Sequence, residues 1–287
     1  MPTNILESAQ TFIWNNARLL ERQLFSFLFR EGTRQSVVSA LSAYQNEDGG
    51  FGNALEPDKR SPSSQPIDQE FALRILNEVG FEAAIAEKVC DFLMTITTKE
   101  GGVPFVLPSV RDAPRADWWN TEDDPPASIN PTASIAGLLH RHKFRHPWLE
   151  KATEYCWRKV EELQNGSEHD LLCAAIFLEN VPDRDRAQRV FRSIGEQIKT
   201  RTAFDPYAPG YTFKPLTWAP APGSICRDLF EDDQINLHLK ALADQQQADG
   251  GWLISWTAVS PGCELEYRGV VTVRTLRMLK EYGYLQT

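Results

Sequence analysis

The residues best suited to acid–base chemistry lie in an acidic and aromatic stretch near the middle of the chain. Asp117 is followed by Trp118 and Trp119, and Asp123 and Asp124 lie shortly after them. A carboxyl group that its neighbours keep protonated can donate a proton, and tryptophan faces stabilise a cation formed by that transfer. We therefore predict that these residues form part of a catalytic site. The alternative is an acidic loop that caps the following helix.

Two other groups of charged and aromatic residues each follow a Gly-Gly pair. After the pair at 49–50, a proline-rich segment carries Glu56, Asp58 and Arg60. After the pair at 250–251 come Trp256, Glu264, Glu266 and Arg268. Long loops in compact domains are often functional, so we predict that both groups bind substrate. The alternatives are a rigid edge with solvated charges for the first group and internal ion pairs for the second.

Several other chemistries lack their motifs. No Asp-Asp-x-x-Asp occurs, so a magnesium-diphosphate site is unsupported, and no histidine pairs with a cysteine at zinc-ligand spacing. The nucleotide-binding glycine motifs, Gly-x-Ser-x-Gly and His-Glu-x-x-His are also absent. We therefore expect neither a metal nor a cofactor. We expect His140, His142 and His146 to lie at the surface or to cap a helix.

The charge balance restricts the partners of the chain. Its 287 residues include 30 Lys and Arg against 39 Asp and Glu, a net charge of −9. This acidic balance opposes nucleic-acid binding and leaves a small molecule as the expected partner. No apolar run approaches the roughly 20 residues of a membrane span, and the first residues show no export signal. We expect a cytoplasmic protein without a transmembrane segment, monomeric or weakly dimeric.

Apolar residues recur every three or four positions along most of the chain, which predicts an all-helical protein. The segments between them are rich in Gly, Pro, Ser and Asp. The predicted helices are Ile5–Phe29, Thr33–Tyr44, Ile67–Val79, Phe81–Ile96, Pro131–His142, Pro147–Leu163, Asp170–Glu179, Asp185–Lys199, Asp232–Gln246 and Tyr267–Tyr282.

A Gly-Gly turn recurs after three of these helices. The turns end at Phe51, Val103 and Trp252, and two of the three share a glutamine, three residues, Gly-Gly and an aromatic residue. Consecutive glycines can take positive φ and end a helix sharply, while the aromatic residue folds back onto the helix pair. The pattern therefore predicts helical hairpins that stack side by side and close into a ring.

These turns, the helix pairs between them and Ala-Leu-Arg-Ile-Leu at 72–76 resemble the squalene-hopene cyclase and protein prenyltransferase repeat superfamily. The resemblance implies an α/α toroid, in which an inner ring of helices lies inside an outer ring. No linker-like stretch divides the sequence, so we also expect a single domain over residues 1–287. Toroids of this kind include cyclases, prenyltransferases, polysaccharide lyases and non-catalytic binding domains.

Cyclases of this superfamily that begin by protonation use an Asp-x-Asp-Asp motif. Residues 121–124 are Thr-Glu-Asp-Asp, so Asp123 corresponds to the acid and Asp124 to its neighbour. The first aspartate of the motif is absent, and Asp117 is the nearby residue that could replace it. The resemblance therefore implies a terpenoid-cyclase-like or prenyltransferase-like enzyme that acts on an isoprenoid.

In a ring of equivalent hairpins, equivalent loops lie at one end, so we expect the three groups of residues to converge on an acidic, aromatic cavity. Crowded carboxylates raise one another's pKa and so form acid–base pairs. Such a cavity suits an isoprenoid cation, or a sugar stacked on tryptophan with two carboxylates at the bond. Two alternatives to the isoprenoid enzyme therefore remain: a carbohydrate-active α/α-barrel hydrolase or lyase, and a non-catalytic ligand-binding toroid.

Overall fold

The computed structural model describes residues 5–285. The chain divides into two compact units: unit 1 comprises Met1–Leu41 and Arg201–Thr287, and unit 2 comprises Ser42–Thr200. The described residues form helices and no β-sheet, with three isolated bridges between loops. The all-α class is therefore confirmed. The α/α toroid and the single domain over residues 1–287 stay predictions.

The described part of the chain contains twelve α-helices. In chain order they are α1 (Ile5–Asn16), α2 (Leu19–Phe29), α3 (Arg34–Ser42), α4 (Pro66–Val79), α5 (Ala83–Thr95), α6 (Ile129–Arg141), α7 (Pro147–Glu161), α8 (Glu168–Asn180), α9 (Arg184–Arg201), α10 (Pro215–Trp218), α11 (Asp232–Asp244) and α12 (Pro261–Glu281). Among residues 5–285, no helix has both the length and the apolar character that crossing a membrane needs.

Two predicted helices differ from the structure by more than two residues at an end or by a break, and α10 was not predicted. The segment predicted as one helix over Ile5–Phe29 is broken at Arg18, whose ψ of 163° is extended. The last helix begins at Pro261 instead of Tyr267, because Ser260 caps it by accepting the N–H of Cys263 at 3.2 Å. Residues that we expected in the preceding loop therefore lie on α12.

The three Gly-Gly turns have the same backbone geometry. Their first glycines, Gly49, Gly101 and Gly250, have φ of 85°, 97° and 91°. The residue after each pair then donates its backbone N–H to a side chain on the helix that follows. These donor–acceptor pairs are Phe51 to Gln69, Val103 to Thr132, and Trp252 to Thr272. The positive φ predicted for the Gly-Gly turns is thus confirmed, whereas the stacking of helical hairpins stays a prediction.

The core of unit 2 is built around α6, which packs against α4, α7 and α8. Every residue from Pro131 to Leu139 is buried. A Cβ on Gly137 would lie 2.5 Å from the carbonyl oxygen of Ile176, so the glycine lets α6 and α8 approach closely. Polar side chains on the facing sides of α4, α6 and α8 are therefore brought together.

Candidate functional site

The loop that carries Glu56, Asp58 and Arg60 is folded into unit 2. Glu56 and Asp58 are 1% and 0% exposed, and Arg60 is half-buried. The backbone N–H of Glu56 donates to the Asp68 carboxylate at 3.0 Å, and Arg60 donates to the carbonyl of Pro57 at 3.3 Å. In this conformation a ligand cannot reach the carboxyl groups of Glu56 and Asp58. Their role in substrate binding stays a prediction that requires the loop to open.

Lys59 holds this loop onto α4. Its Nζ lies 2.5 Å from Oδ2 of Asp68, and both side chains are fully buried. A buried charge without a partner is strongly destabilising. The ion pair therefore favours the inward position of the loop.

The structure brings two of the predicted groups together. Lys59 and Arg115 form an antiparallel bridge, and the N–H of Ala116 donates to the carbonyl of Asp58 at 2.9 Å. Asp117 and the tryptophans that follow it therefore begin beside the loop of Glu56, Asp58 and Arg60.

The predicted catalytic aspartates lie at the surface of unit 2. Asp117, Asp123 and Asp124 are exposed, and Asp123 forms an ion pair with Arg111 in which its side chain is 89% exposed. The proton donor of a protonation-initiated cyclase must be shielded from water to stay protonated. The surroundings of Asp123 do not provide this shielding, so the acid role has no support from the geometry.

The two adjacent tryptophans have different surroundings. Trp119 is 7% exposed and stacks on Phe105, with ring centroids 4.9 Å apart. Trp118 is 48% exposed. Trp119 therefore packs in the core of unit 2, whereas Trp118 presents a ring that a ligand can reach.

Arg268, in unit 1, holds the third Gly-Gly turn. Its Nη2 donates to both carboxylate oxygens of Asp249 at 2.8 Å, and its Nε donates to the carbonyl of Trp252 at 3.1 Å. The guanidinium also lies over the ring of Phe12, 4.5 Å from its centroid. This partly confirms the alternative of an internal ion pair, although the partner is Asp249, outside the predicted group.

The other members of that group lie around the start of α12. Trp256 is half-buried and contacts Tyr211 and Tyr267 edge to face, at 5.5 and 4.7 Å. Glu264 is exposed and Glu266 is half-exposed, and both lie on α12 instead of the loop before it. Their convergence with the residues of unit 2 stays a prediction.

A second polar cluster, which the sequence analysis did not identify, lies where α4, α6 and α8 face one another. Glu70 and Arg74, one turn apart on α4, form an ion pair with Nη2–Oε1 of 2.7 Å. Glu70 has a side chain only 7% exposed, whereas that of Arg74 is 34% exposed. Nη2 of Arg74 also donates to Oγ of Ser134 on α6 at 3.4 Å. Arg74 thus has a fixed orientation and retains accessible surface.

Cys173 of α8 lies beside this ion pair. Its Sγ donates to Oδ1 of Asn130 at 3.6 Å. Burial raises the pKa of the Cys173 thiol well above its usual 9.0, and the charge of Glu70 adds to the shift. The thiol is therefore neutral at ordinary pH, a hydrogen-bonding group and not a nucleophile.

His169 lies one turn before Cys173 on α8. Desolvation of its ring lowers the pKa of His169 below 6.5, although the residue keeps accessible surface. The charge of Glu70 opposes the shift and that of Arg74 adds to it. His169 therefore belongs to the same electrostatic environment and is neutral near pH 7. We call these six residues the Glu70 cluster: Glu70, Arg74, Asn130, Ser134, His169 and Cys173.

No protein-family model matches this chain, and no curated protein matches it. A solved structure, that of a protein from Actinoplanes, matches 97% of this chain and 98% of its own, with a TM-score of 0.61 and 15% sequence identity. The two chains share one fold. At this identity the likeness concerns the fold alone.

The Glu70 cluster provides what a proton transfer needs. A neutral imidazole can accept a proton, and an accessible guanidinium can stabilise negative charge that develops on a substrate oxygen. The carboxylate of Glu70 orients that guanidinium.

Among residues 5–285 no group of three or more His, Cys, Asp and Glu side chains is arranged to hold a metal ion.

A specific signal in the sequence points to these residues. Glu70 and Arg74, like His169 and Cys173, are four positions apart, which places each pair on one face of a helix. Glu70 and Arg74 flank the apolar run 71–73, and a charged group on a buried face needs a partner. The spacing could have identified each pair, but only the packing of α4 against α6 and α8 could join the two.

Proposed function

We propose that this chain is an enzyme that carries out proton-transfer chemistry on an oxygen-rich small molecule of the carbohydrate class, bound at the Glu70 cluster. The observation that carries the proposal is the Glu70–Arg74 ion pair beside Ser134. The charges of this ion pair act on the accessible imidazole of His169. This favours the carbohydrate-active alternative over the isoprenoid enzyme.

Each residue has a role in this proposal. His169 takes the proton from the substrate, because its lowered pKa keeps the imidazole neutral at pH 7. Arg74, oriented by Glu70, stabilises the negative charge that forms on the substrate oxygen. Asn130, which is half-buried, supplies a neutral hydrogen-bonding group of the kind that binds hydroxyl groups. Ser134 is fully buried and helps to position Arg74.

The polarity of the cluster separates the two substrate classes. A carbocation from an isoprenoid needs the faces of Trp, Tyr or Phe rings and the absence of water, and the six residues of the Glu70 cluster include none of these three types. A sugar needs donors and acceptors around its hydroxyl groups. The cluster has both, so it suits the sugar.

The proposal is tested by incubating the purified chain with neutral and uronate-containing oligosaccharides, isoprenoid diphosphates and squalene, with product detection by mass spectrometry. We expect conversion of an oligosaccharide. His169→Gln removes the general base and should lower kcat/KM by about a hundredfold or more. Glu70→Gln removes the carboxylate that orients Arg74 and should also lower activity. Glu87→Gln, at an exposed position of α5, is the matched control and should keep it.

Two results would contradict the proposed function. Conversion of an isoprenoid that is lost in Asp123→Asn would overturn the proposal in favour of the cyclase-like enzyme. A ligand that raises the melting temperature without any product would favour the non-catalytic binder. Each variant is first checked for an unchanged unfolding transition, so that loss of activity is not loss of folding.

A further inference from the structure

A short basic segment joins α6 to α7, and the proposed function does not use it. Residues 140–146 are His-Arg-His-Lys-Phe-Arg-His, in a chain whose net charge is −9. Cations concentrated in one segment of an acidic protein form a local positive region. We call this segment the basic strip.

Exposed and half-buried residues alternate along the basic strip. Arg141, Lys143 and Arg145 are exposed, whereas the residues between them are half-buried. The histidines attach the strip to its neighbours: His140 bonds to Thr153 at 2.8 Å, His142 bonds to Asn77, and His146 accepts the N–H of Trp148 at 3.1 Å. The strip is therefore held in place by its histidines and directs its three permanent cations outward.

Lys143 has an unusual backbone conformation. Its φ of 53° lies in the left-handed region that a lysine seldom adopts, and its N–H donates to the carbonyl of His140 at 2.9 Å. Within residues 5–285, neither Lys143 nor Arg145 forms an ion pair. Both exposed charges therefore lack an ion-pair partner among the described residues.

Lys143 and Arg145 line a groove of about 650 Å³ between the basic strip, the start of α7 and the end of α8. Its apolar lining includes Phe144, Leu149 and Pro182. Glu150 is the one acid among the lining residues. The volume lies within the range of about 300–1,000 Å³ that small-molecule sites occupy, and Arg141 is not part of the lining.

We propose that this groove binds a small, soluble phosphate monoester that also carries hydroxyl groups. Lys143 and Arg145 pair with the phosphate oxygens, as such side chains do in phosphate sites. The carbon skeleton of the ligand packs on Phe144 and Leu149, and Glu150 accepts hydrogen bonds from its hydroxyl groups. This site is distinct from the Glu70 cluster and does not depend on the function proposed there.

Calorimetric titration of the purified chain tests the proposal, with ribose 5-phosphate as the probe and ribose and inorganic phosphate as comparison ligands. We expect ribose 5-phosphate to bind more tightly than either comparison ligand and its affinity to fall as salt is added. Lys143→Gly removes the charge and accepts the same φ, and Arg145→Gln removes the second charge. Each should weaken binding at least about fivefold, as loss of a charge-assisted hydrogen bond does.

Arg141→Gln is the matched control, because it removes the same charge from the same strip outside the groove. The affinity of the Arg141→Gln variant for ribose 5-phosphate should stay within about twofold of that of the unaltered chain. The proposal is overturned if ribose 5-phosphate does not bind, or if it binds no better than inorganic phosphate. An equal loss in Arg141→Gln and Arg145→Gln would also overturn it, because the binding would then be non-specific attraction to the strip.

Discussion

The ammonium group of Lys59 lies 2.5 Å from a carboxylate oxygen of Asp68, and neither side chain has accessible surface. Asp68 also accepts the backbone N–H of Glu56 through its other oxygen. One carboxylate on α4 therefore fixes both ends of the Glu56–Lys59 segment. The burial of this loop depends on that pair.

We predict that Lys59→Met destabilises the chain by about 3–5 kcal/mol, because it leaves the carboxylate of Asp68 buried without its counter-ion. Urea unfolding followed by circular dichroism measures the change. Lys240→Met breaks the exposed pair with Asp244 and should cost less than about 1 kcal/mol. Equal losses in the two variants would contradict this account of the loop.

The Gly-Gly turns give a second prediction. A Cβ on Gly251 would lie 2.8 Å from ring atoms of Phe12. Gly251→Ala should therefore cost about 1–3 kcal/mol through overpacking. Gly223→Ala is the control, since a Cβ there meets nothing within 4 Å. Thermal unfolding compares the two, and an unchanged melting temperature for Gly251→Ala would show that the ring has room to move.

We predict that Arg268 stabilises the folded chain. Arg268→Lys loses the two-oxygen contact with Asp249 and the bond to Trp252, and should cost about 1.5–3 kcal/mol. Its effect on kcat/KM should be small once the variant is folded. A variant of normal stability with impaired substrate affinity would instead restore the substrate-binding role predicted from the sequence.

Acid should destabilise the folded chain through its histidines. Burial lowers the pKa of His140, His142, His169 and His238 below the usual 6.5. Below that pH the unfolded chain binds protons that the folded chain does not, so stability falls until the folded pKa values are passed. We expect a smaller free energy of unfolding at about pH 5.5 than at about pH 7.5. His140→Gln should reduce this difference, and a difference of unchanged size would argue against burial of that ring.

The lowered pKa of His169 predicts the pH profile of the proposed reaction. The base must be neutral to accept a proton, and the pKa of His169 is lowered. The acidic limb of kcat/KM should therefore have its midpoint below 6.5. A midpoint above this value would exclude His169 as the base.

Much of the local structure could be predicted from the sequence. The positions of most helices follow from apolar periodicity, and Thr33, the predicted start of the second helix, caps α3 by accepting the N–H of Ser36 at 3.2 Å. The Gly-Gly turns were also predictable, because positive φ and helix termination depend on neighbouring residues. The start of α12 was not, because its cap at Ser260 precedes the apolar pattern.

The candidate site was less predictable. Asp123 has the residue type and spacing of an acid, yet its side chain is exposed beside Arg111. Arg268 has the charge of a ligand-binding residue, yet it holds a turn. Residue type indicates which chemistry is possible, but the solvent and partners around a side chain decide whether it occurs.

By itself, the sequence determined the helical class, the hairpin turns and the acidic charge, because these depend on local backbone preferences and on composition. Only the tertiary structure decided which ionisable groups are buried, that Glu70 and Arg74 face Ser134 and Cys173, and that the basic strip borders a groove. The physical reason is that burial and pairing depend on contacts between residues far apart in the chain, which form only when the helices pack.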